Sequence, residues 1–170
     1  MGPLLILIDG YNVIRNVPGL AAAERCGLEA GRDALMRQVR ARYRHTPHRV
    51  VIVFDGAGDT ESIQALARMP RGQVVFTRRG DTADSAIQRR AEVERAAGGA
   101  VQVCSDDIEV RSGVSSVGGS ALSVGELAET LNAPDRYQRR LHLTRQFQRR
   151  QWEDEGGADT SRHPRGYRDR

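Results

Sequence analysis

The stretch Leu4-Leu5-Ile6-Leu7-Ile8-Asp9-Gly10-Tyr11-Asn12 runs five aliphatic residues directly into a carboxylate. An unbroken apolar run of this length, without alternation, suits a strand of a parallel sheet that is covered on both faces. Asp9 then stands at the carboxyl end of that strand, and open α/β sheets bind their ligands outside the carboxyl ends of strands. A plain turn at Asp9-Gly10, with Asn12 capping the next segment, is the alternative that the stretch alone leaves open.

Three further apolar runs, Val50–Phe54, Val74–Thr77 and Val101–Cys104, are short and rich in Val or Ile. Segments of helical periodicity lie between them, so the pattern is that of an α/β protein with a mainly parallel sheet. From Glu29 to His45, Leu35, Val39 and Tyr43 recur every four residues beside Met36, which predicts a core-facing helix. A shorter helix is expected over Glu61–Arg68, stopping before Pro70. Thr82 can cap another that runs to Ala97, with Ala83, Ile87 and Ala91 on its inner face and Gly98-Gly99 as its end.

Beyond Cys104, the Gly, Ser and Val of 112–123 suggest a short strand around Val114–Val117 and a loop. Ser123 and Glu126 form a capping-box pattern that opens a helix ending near Pro134, with Leu127 and Leu131 facing inward. Asp135 can cap a basic amphipathic helix from about 136 to 153, which carries Arg139, Arg140, Arg145, Arg149 and Arg150. From 154 to 170 nothing apolar recurs, and a disordered polar tail is expected. The organisation is thus one domain over 1–150, including the basic helix from about 135, followed by the tail.

A chain of 170 residues is large enough to bury most of its unfolded surface without disulfide staples. Cys26 and Cys104 have no metal-ligand spacing and fit a reducing compartment. The opening run is far shorter than the ~18 residues that span a bilayer, so a soluble cytoplasmic protein without membrane association is expected. Charge is unevenly placed. Residues 1–134 hold sixteen Arg and sixteen acids, whereas 135–170 hold ten Arg and six acids. All 26 basic residues are Arg, whose guanidinium grips phosphate with a bidentate fork. A neutral body with a basic arm points to an anionic partner, nucleic acid before membrane.

Further carboxylates occupy positions like that of Asp9. Asp55 follows Val51-Ile52-Val53-Phe54, Asp84 lies at a helix start after the third strand, and Asp106 and Asp107 follow the fourth. In a parallel sheet these ends share one rim. Several acids there repel one another unless a cation neutralises them, and Mg²⁺ or Mn²⁺ suits a site of few carboxylates, water and phosphate. Turns or helix caps at each acid are the structural alternative. Gly56-Ala57-Gly58 lacks the third glycine of a dinucleotide loop and no phosphate-loop motif occurs, so no nucleotide cofactor is expected. His45 and His48 lack a third ligand. Arg78 and Arg79, just before Asp81, are candidate phosphate contacts.

The ordered set Leu7-Ile8-Asp9-Gly10-Tyr11-Asn12, Val51-Ile52-Val53-Phe54-Asp55, 75–84 (Val-Phe-Thr-Arg-Arg-Gly-Asp-Thr-Ala-Asp) and 103–109 (Val-Cys-Ser-Asp-Asp-Ile-Glu) resembles the YacP-type NYN-domain proteins, PIN-like bacterial endoribonucleases. The resemblance covers about 4–150. It implies a three-layer α/β/α PIN-like sandwich, a divalent metal and RNA hydrolysis, with mRNA cleavage linked to the ribosome. The family's metal-site acids carry over onto Asp9, Asp84 and Asp106, with Asn12 and Asp55 at the same rim and Glu109 a looser match. Cys104, where relatives tend to have a hydroxyl residue, and the added acid Asp107 depart from the pattern. They leave open whether Asp106 alone or together with Asp107 faces the metal.

The expected activity is therefore metal-dependent endoribonucleolytic cleavage of RNA. Asp9, Asp84 and Asp106 are the expected catalytic and metal-binding acids, with Asp55 and Asp107 as further candidates. Asn12, Thr82, Ser105 and Glu109 are supporting residues, and Arg78, Arg79, Arg139, Arg140, Arg145 and Arg149 are RNA contacts. Two other readings use the same residues: a non-catalytic RNA or ribosome adaptor with a PIN-like fold, and a metal-dependent phosphatase. The phosphatase leaves the Arg-rich arm unexplained.

Overall fold

The four apolar runs are strands of one sheet in a computed structural model of the chain, which describes residues 2–133. They are β1 (Leu4–Asp9), β2 (Arg49–Gly58), β4 (Gly72–Arg78) and β5 (Ala100–Cys104), and two shorter strands, β3 (Ser62–Ala65) and β6 (Ser120–Leu122), flank them. The order across the sheet is β3-β4-β2-β1-β5-β6. All neighbours are parallel except the antiparallel pair β3 and β4. The chain leaves β1 for β2 on one side and later returns to β5 on the other, so the sheet's topological switch point falls between β1 and β5. That crevice is where such sheets take ligands.

Helices cover both faces. α1 (Gly10–Asn16), α2 (Pro18–Glu24), α3 (Leu28–Tyr43) and α6 (Val124–Asn132) contribute to one core, and α4 (Ala83–Ala96) and α5 (Ile108–Ser116) to the other. The unbroken apolar run of β1 is explained by this sandwich. Ile6 and Ile8 join the core that holds Leu35, Val39 and Leu127, while Leu5 and Leu7 join the one that holds Ile87 and Val110. Leu35, Val39 and Tyr43 are buried on α3, and Ala83, Ile87 and Ala91 on α4, as their spacing predicts. Among the described residues no helix is long and apolar enough to cross a membrane.

Two expectations are corrected. Glu61–Arg68 is not a helix: Ser62–Ala65 is β3, which pairs with β4 from Ser62↔Phe76 to Ala65↔Gln73. Eight residues are too few to hold a helix by propensity, and pairing satisfies the exposed edge of β4. The turn after β3 buries Leu66 and Met69 beneath Gly72. Nor is Val114–Val117 a strand, because α5 runs through it with Val110 and Val114 buried one turn apart. Asp107 starts that helix by accepting from the Glu109 and Val110 amides, and Gly118, at φ 81°, ends it. The strand of this region is β6, at Ser120–Leu122. Residues 10–24, which carry no clear periodicity, fold as α1 and α2. The basic helix from about 135 and the tail 154–170 lie outside the described residues.

Gly10 is required by packing. A Cβ there would lie 2.2 Å from Cε1 of Phe54, a fully buried ring. Gly10→Ala is expected to destabilise the fold by about 1–3 kcal/mol, the range for overpacking a core. Urea unfolding checks this, and a loss below about 0.5 kcal/mol would mean that the ring moves aside freely.

Candidate active site

Four acids of the rim accept from an amide at a helix start. Asp9 ends β1 and is the N-cap of α1, where its Oδ1 accepts from the Asn12 amide at 3.3 Å. Asp55, on β2, accepts from the Ala83 amide at 2.8 Å and so caps α4 from a distance. Asp107 caps α5 through the Glu109 amide at 2.8 Å. Asp106 accepts from the Val124 amide at 2.9 Å, at the start of α6. Helix N-termini favour negative charge, which is how the fold tolerates so many carboxylates close together.

Asp84 differs from the others. It lies in the first turn of α4, whose cap is Thr82 with a 3.2 Å bond from the Ser85 amide. Its carboxylate accepts no hydrogen bond from the described side chains or amides. Burial raises its pKa, and the negative charges of Asp107, Asp55 and Glu109 push in the same direction. Asp9 is more strained electrically. Only 7% exposed, it has its pKa raised to about 6, chiefly by desolvation and further by Asp84 and Asp55, against the lowering effect of its bonds from Asn12 and Ser105.

Ser105, fully buried, joins two of the acids. Its Oγ donates to Asp9 Oδ2 at 3.2 Å and accepts from the Asp107 amide at 3.1 Å. Asn12 holds the same loop from the other side, its Oδ1 accepting from the Asp106 amide at 2.9 Å. Both are therefore positioning residues for the loop after β5. Asp9, Asp55, Asp84, Asp107 and Glu109 form one electrostatic neighbourhood. Asp106 is engaged instead with α6, and the acid that acts on Asp84 from this loop is Asp107.

Among the described residues no three acidic, His or Cys side chains are close enough to cage an ion unaided. The donor set fits Mg²⁺ or Mn²⁺, which take one or two carboxylates and fill the remaining positions with water and phosphate. It does not fit a four-ligand zinc site. His48 is used structurally, its Nδ1 accepting from the Leu4 amide at 3.1 Å. Cys104 is a packed thiol, pushed up to about 12 by burial.

Arg79 donates from Nε and Nη2 to the Ala57 carbonyl, at 3.3 and 3.2 Å. Arg78 lies by Asp81, whose carboxyl is held below its ordinary value first by its hydrogen bond from Arg89 and also by Arg78. Arg139, Arg140, Arg145 and Arg149 lie outside the described residues. Thr77 was not apparent from sequence. Its buried hydroxyl accepts from the Gly56 amide at 3.0 Å and donates to the Asp81 carbonyl at 3.1 Å, joining β2 to the turn before α4. A hydroxyl among the apolar residues of 74–77 was the available signal.

A mainly parallel sheet between helical layers, with acids gathered at the carboxyl ends of its strands, is a three-layer α/β/α sandwich, the architecture expected from the family resemblance. The chain belongs to the YacP-like NYN domain family, whose model matches residues 6–161. It is 26% identical over 132 residues to the protein YacP of Bacillus subtilis strain 168, covering 78% of this chain and 77% of that one. Its fold matches the crystal structure of Rae1 (YacP) from Bacillus subtilis at a TM-score of 0.62 and 23% identity, over 90% of this chain and 84% of that one. The crystal structure of a mutant of Rae1 from the same organism matches at a TM-score of 0.62 and 24% identity, over 92% and 86%. Family and fold point to an RNA-related function.

The buried Asp9 has a consequence for stability. Its pKa of about 6 in the fold lies above the ordinary 3.8, so between these values the folded state holds the proton more tightly than the unfolded chain. Ion-free protein should therefore lose stability as pH rises from about 4 to about 6, by at most on the order of 3 kcal/mol from this group. Chemical denaturation of wild type and Asp9→Asn across this range, in EDTA, isolates the contribution. The difference between the two should change with pH, and parallel curves would place Asp9 in water.

Proposed function

We propose that this protein is a divalent-cation-dependent endoribonuclease that hydrolyses phosphodiesters of messenger RNA engaged with the ribosome. The observation that carries the reading is the pairing of a desolvated Asp9 with an unbonded Asp84 at the switch point, in a chain of the NYN family. Two carboxylates whose proton affinities are both raised by burial and by neighbouring negative charge are well suited to a cation.

In this reading Asp9 and Asp84 hold Mg²⁺ or Mn²⁺. Asp106 is the third acid that the family resemblance carries over; its carboxylate accepts from the Val124 amide, so in this reading Asp107 and Asp55, which both act on Asp84, complete the rim directly or through water. A divalent cation bound there supplies positive charge for the phosphate oxygens and draws the pKa of water toward neutrality. Ser105 fixes Asp9 by donating to Oδ2 and leaves Oδ1 to the α1 amide, so the carboxylate keeps one orientation. Asn12 holds the Asp106 amide, and with it the loop that carries both later acids. Thr82 fixes the turn of α4 from which Asp84 projects. Glu109 adds negative charge beside Asp84 and strengthens the preference for a cation. No side chain need act as a nucleophile, because the rim offers carboxylates that orient water.

RNA binding is assigned to Arg78 and Arg79 beside the rim and to Arg139, Arg140, Arg145 and Arg149 of the C-terminal segment. The excess of Arg over acids in 135–170 supports that assignment. Such contacts make affinity fall steeply with salt.

Labelled RNA incubated with wild type in Mn²⁺ or Mg²⁺ should be cut internally to leave 5′-phosphate ends. Asp9→Asn should cut at least ~100-fold more slowly, about 2.7 kcal/mol of barrier, and EDTA should abolish cleavage. Undiminished cleavage in either case removes the metal mechanism, while RNA binding with no cleavage favours the adaptor. Faster cutting of a translated message than of the same RNA alone supports the ribosomal part, and equal rates remove it.

A further inference from the structure

Beside the acidic rim, on the α3 side of the sheet, lies an open cleft of about 780 Å³. Asp55 belongs to its wall as well as to the rim. One wall rests on a layer of aromatic rings capped by a guanidinium. Phe54 stacks on Phe76 at 5.5 Å and meets Tyr11 edge-on at 5.0 Å. The Arg32 guanidinium lies over all three, 5.8 Å from the Tyr11 centroid, 5.9 Å from Phe54 and 5.3 Å from Phe76. Tyr11, Arg32 and Phe76 face the cleft and are half-buried.

Ring contacts hold Arg32 in place of ion pairs. It forms no ion pair with the described acids, and its buried Nε finds no hydrogen-bond partner among the described residues. A planar cation laid on rings at the wall of a cleft is suited to stack a flat ligand.

Charge separates the possible ligands. Glu29, Asp33 and Asp55 line the same cleft, three carboxylates against the one guanidinium. A phosphate placed there would meet net negative charge. A neutral heterocycle would not, and its amino groups could donate to the carboxylates while Gln64 and Ser62, on β3, offer both donors and acceptors. Volume is no obstacle, since small-molecule sites occupy roughly 300–1,000 Å³.

We propose that this cleft is a nucleobase subsite. It holds one base of single-stranded RNA on the Arg32, Tyr11 and Phe76 platform while the adjoining backbone passes Asp55 to the acidic rim. The inference rests on the reading of RNA as the ligand. Stacking on such platforms tolerates every base but requires that a base be present. The subsite thus distinguishes single-stranded from paired RNA, because a paired base cannot leave its stack to enter without losing its partner.

The test uses full-length protein carrying Asp84→Asn to suppress cutting, titrated in Mg²⁺ with fluorescent hexa-adenylate RNA. Six versions of the RNA, each abasic at one position, are titrated in the same way. One abasic position should weaken binding roughly ten-fold. The same lesion should cost less than about two-fold once Arg32→Lys, which keeps the charge and loses the plane, or Phe76→Leu is added, as coupling of a shared contact demands. Circular dichroism verifies that each variant folds, and Gln64→Ala, at an exposed position, supplies a third that cannot disturb the core. Equal abasic penalties in all backgrounds overturn the subsite and leave RNA binding intact. No binding of any hexamer at low salt overturns both the subsite and the RNA reading. Coupling without cleavage by the wild type upholds the subsite and removes only the nuclease.

Discussion

The structure depends on one constraint, that a sheet buried on both faces can expose charge only at its strand ends. β1 shows it most sharply. Leu5 through Ile8 are all buried, alternately toward the α3 and α4 layers, and the first polar side chain the chain can place is Asp9. Because β1, β2 and β5 are mutually parallel in register, the same end of each carries the acid that comes after its apolar run. The crowding of carboxylates is thus a consequence of topology. What differs among them is how the local backbone receives each one.

The backbone receives most of them as helix caps. Asp9, Asp107, Asp55 and Asp106 each accept from an amide at the start of a helix. This arrangement answers half of the electrostatic problem, since amide donors and helix ends offset charge without a cation. It fails at Asp9 and Asp84. At Asp9, desolvation outweighs both hydrogen bonds, and at Asp84 no hydrogen bond is made. The caps therefore fix the geometry of the rim and leave a negative remainder at one place, between β1 and the start of α4. The fold itself leaves that deficit uncompensated, which is the ground for the cation of the proposed function.

Much of this was legible in the chain. Apolar runs located the four long strands, because burial on both faces leaves no alternation to misread. The acids at their ends were legible for the same reason. The expected helix at Glu61–Arg68 failed because Gln64, Ala65 and Leu66 suit a helix locally, whereas the open edge of β4 is a long-range demand that no short window contains. Val114 misled in the opposite direction. Val114 and Val117, β-branched among Gly and Ser, suggest a strand, but the spacing of Val114 from Val110 is helical and Asp107 supplies the cap. The relation of Asp106 to Asp107 was beyond sequence altogether. Adjacent residues point to different helices, α6 and α5, and only the folded loop assigns them.

The two sides of the rim are joined through β2, and that joint relies on a close approach of backbones. Between Phe54 and Gly58 the pairing of β2 with β4 slips, and a Cβ at Gly56 would stand 2.0 Å from the Thr77 carbonyl oxygen. Thr77 reinforces the contact by accepting from the Gly56 amide and holding Asp81. At this end of β2, Asp55 accepts from the Ala83 amide on one side while Gly56 and its neighbours line the cleft on the other. Alternation along β2 already directs Asp55 to the α4 side, since Phe54 belongs to the α3 core and Val53 to the α4 core. Asp55 and the glycines after it thus bring the α4 rim and the aromatic cleft together along one strand.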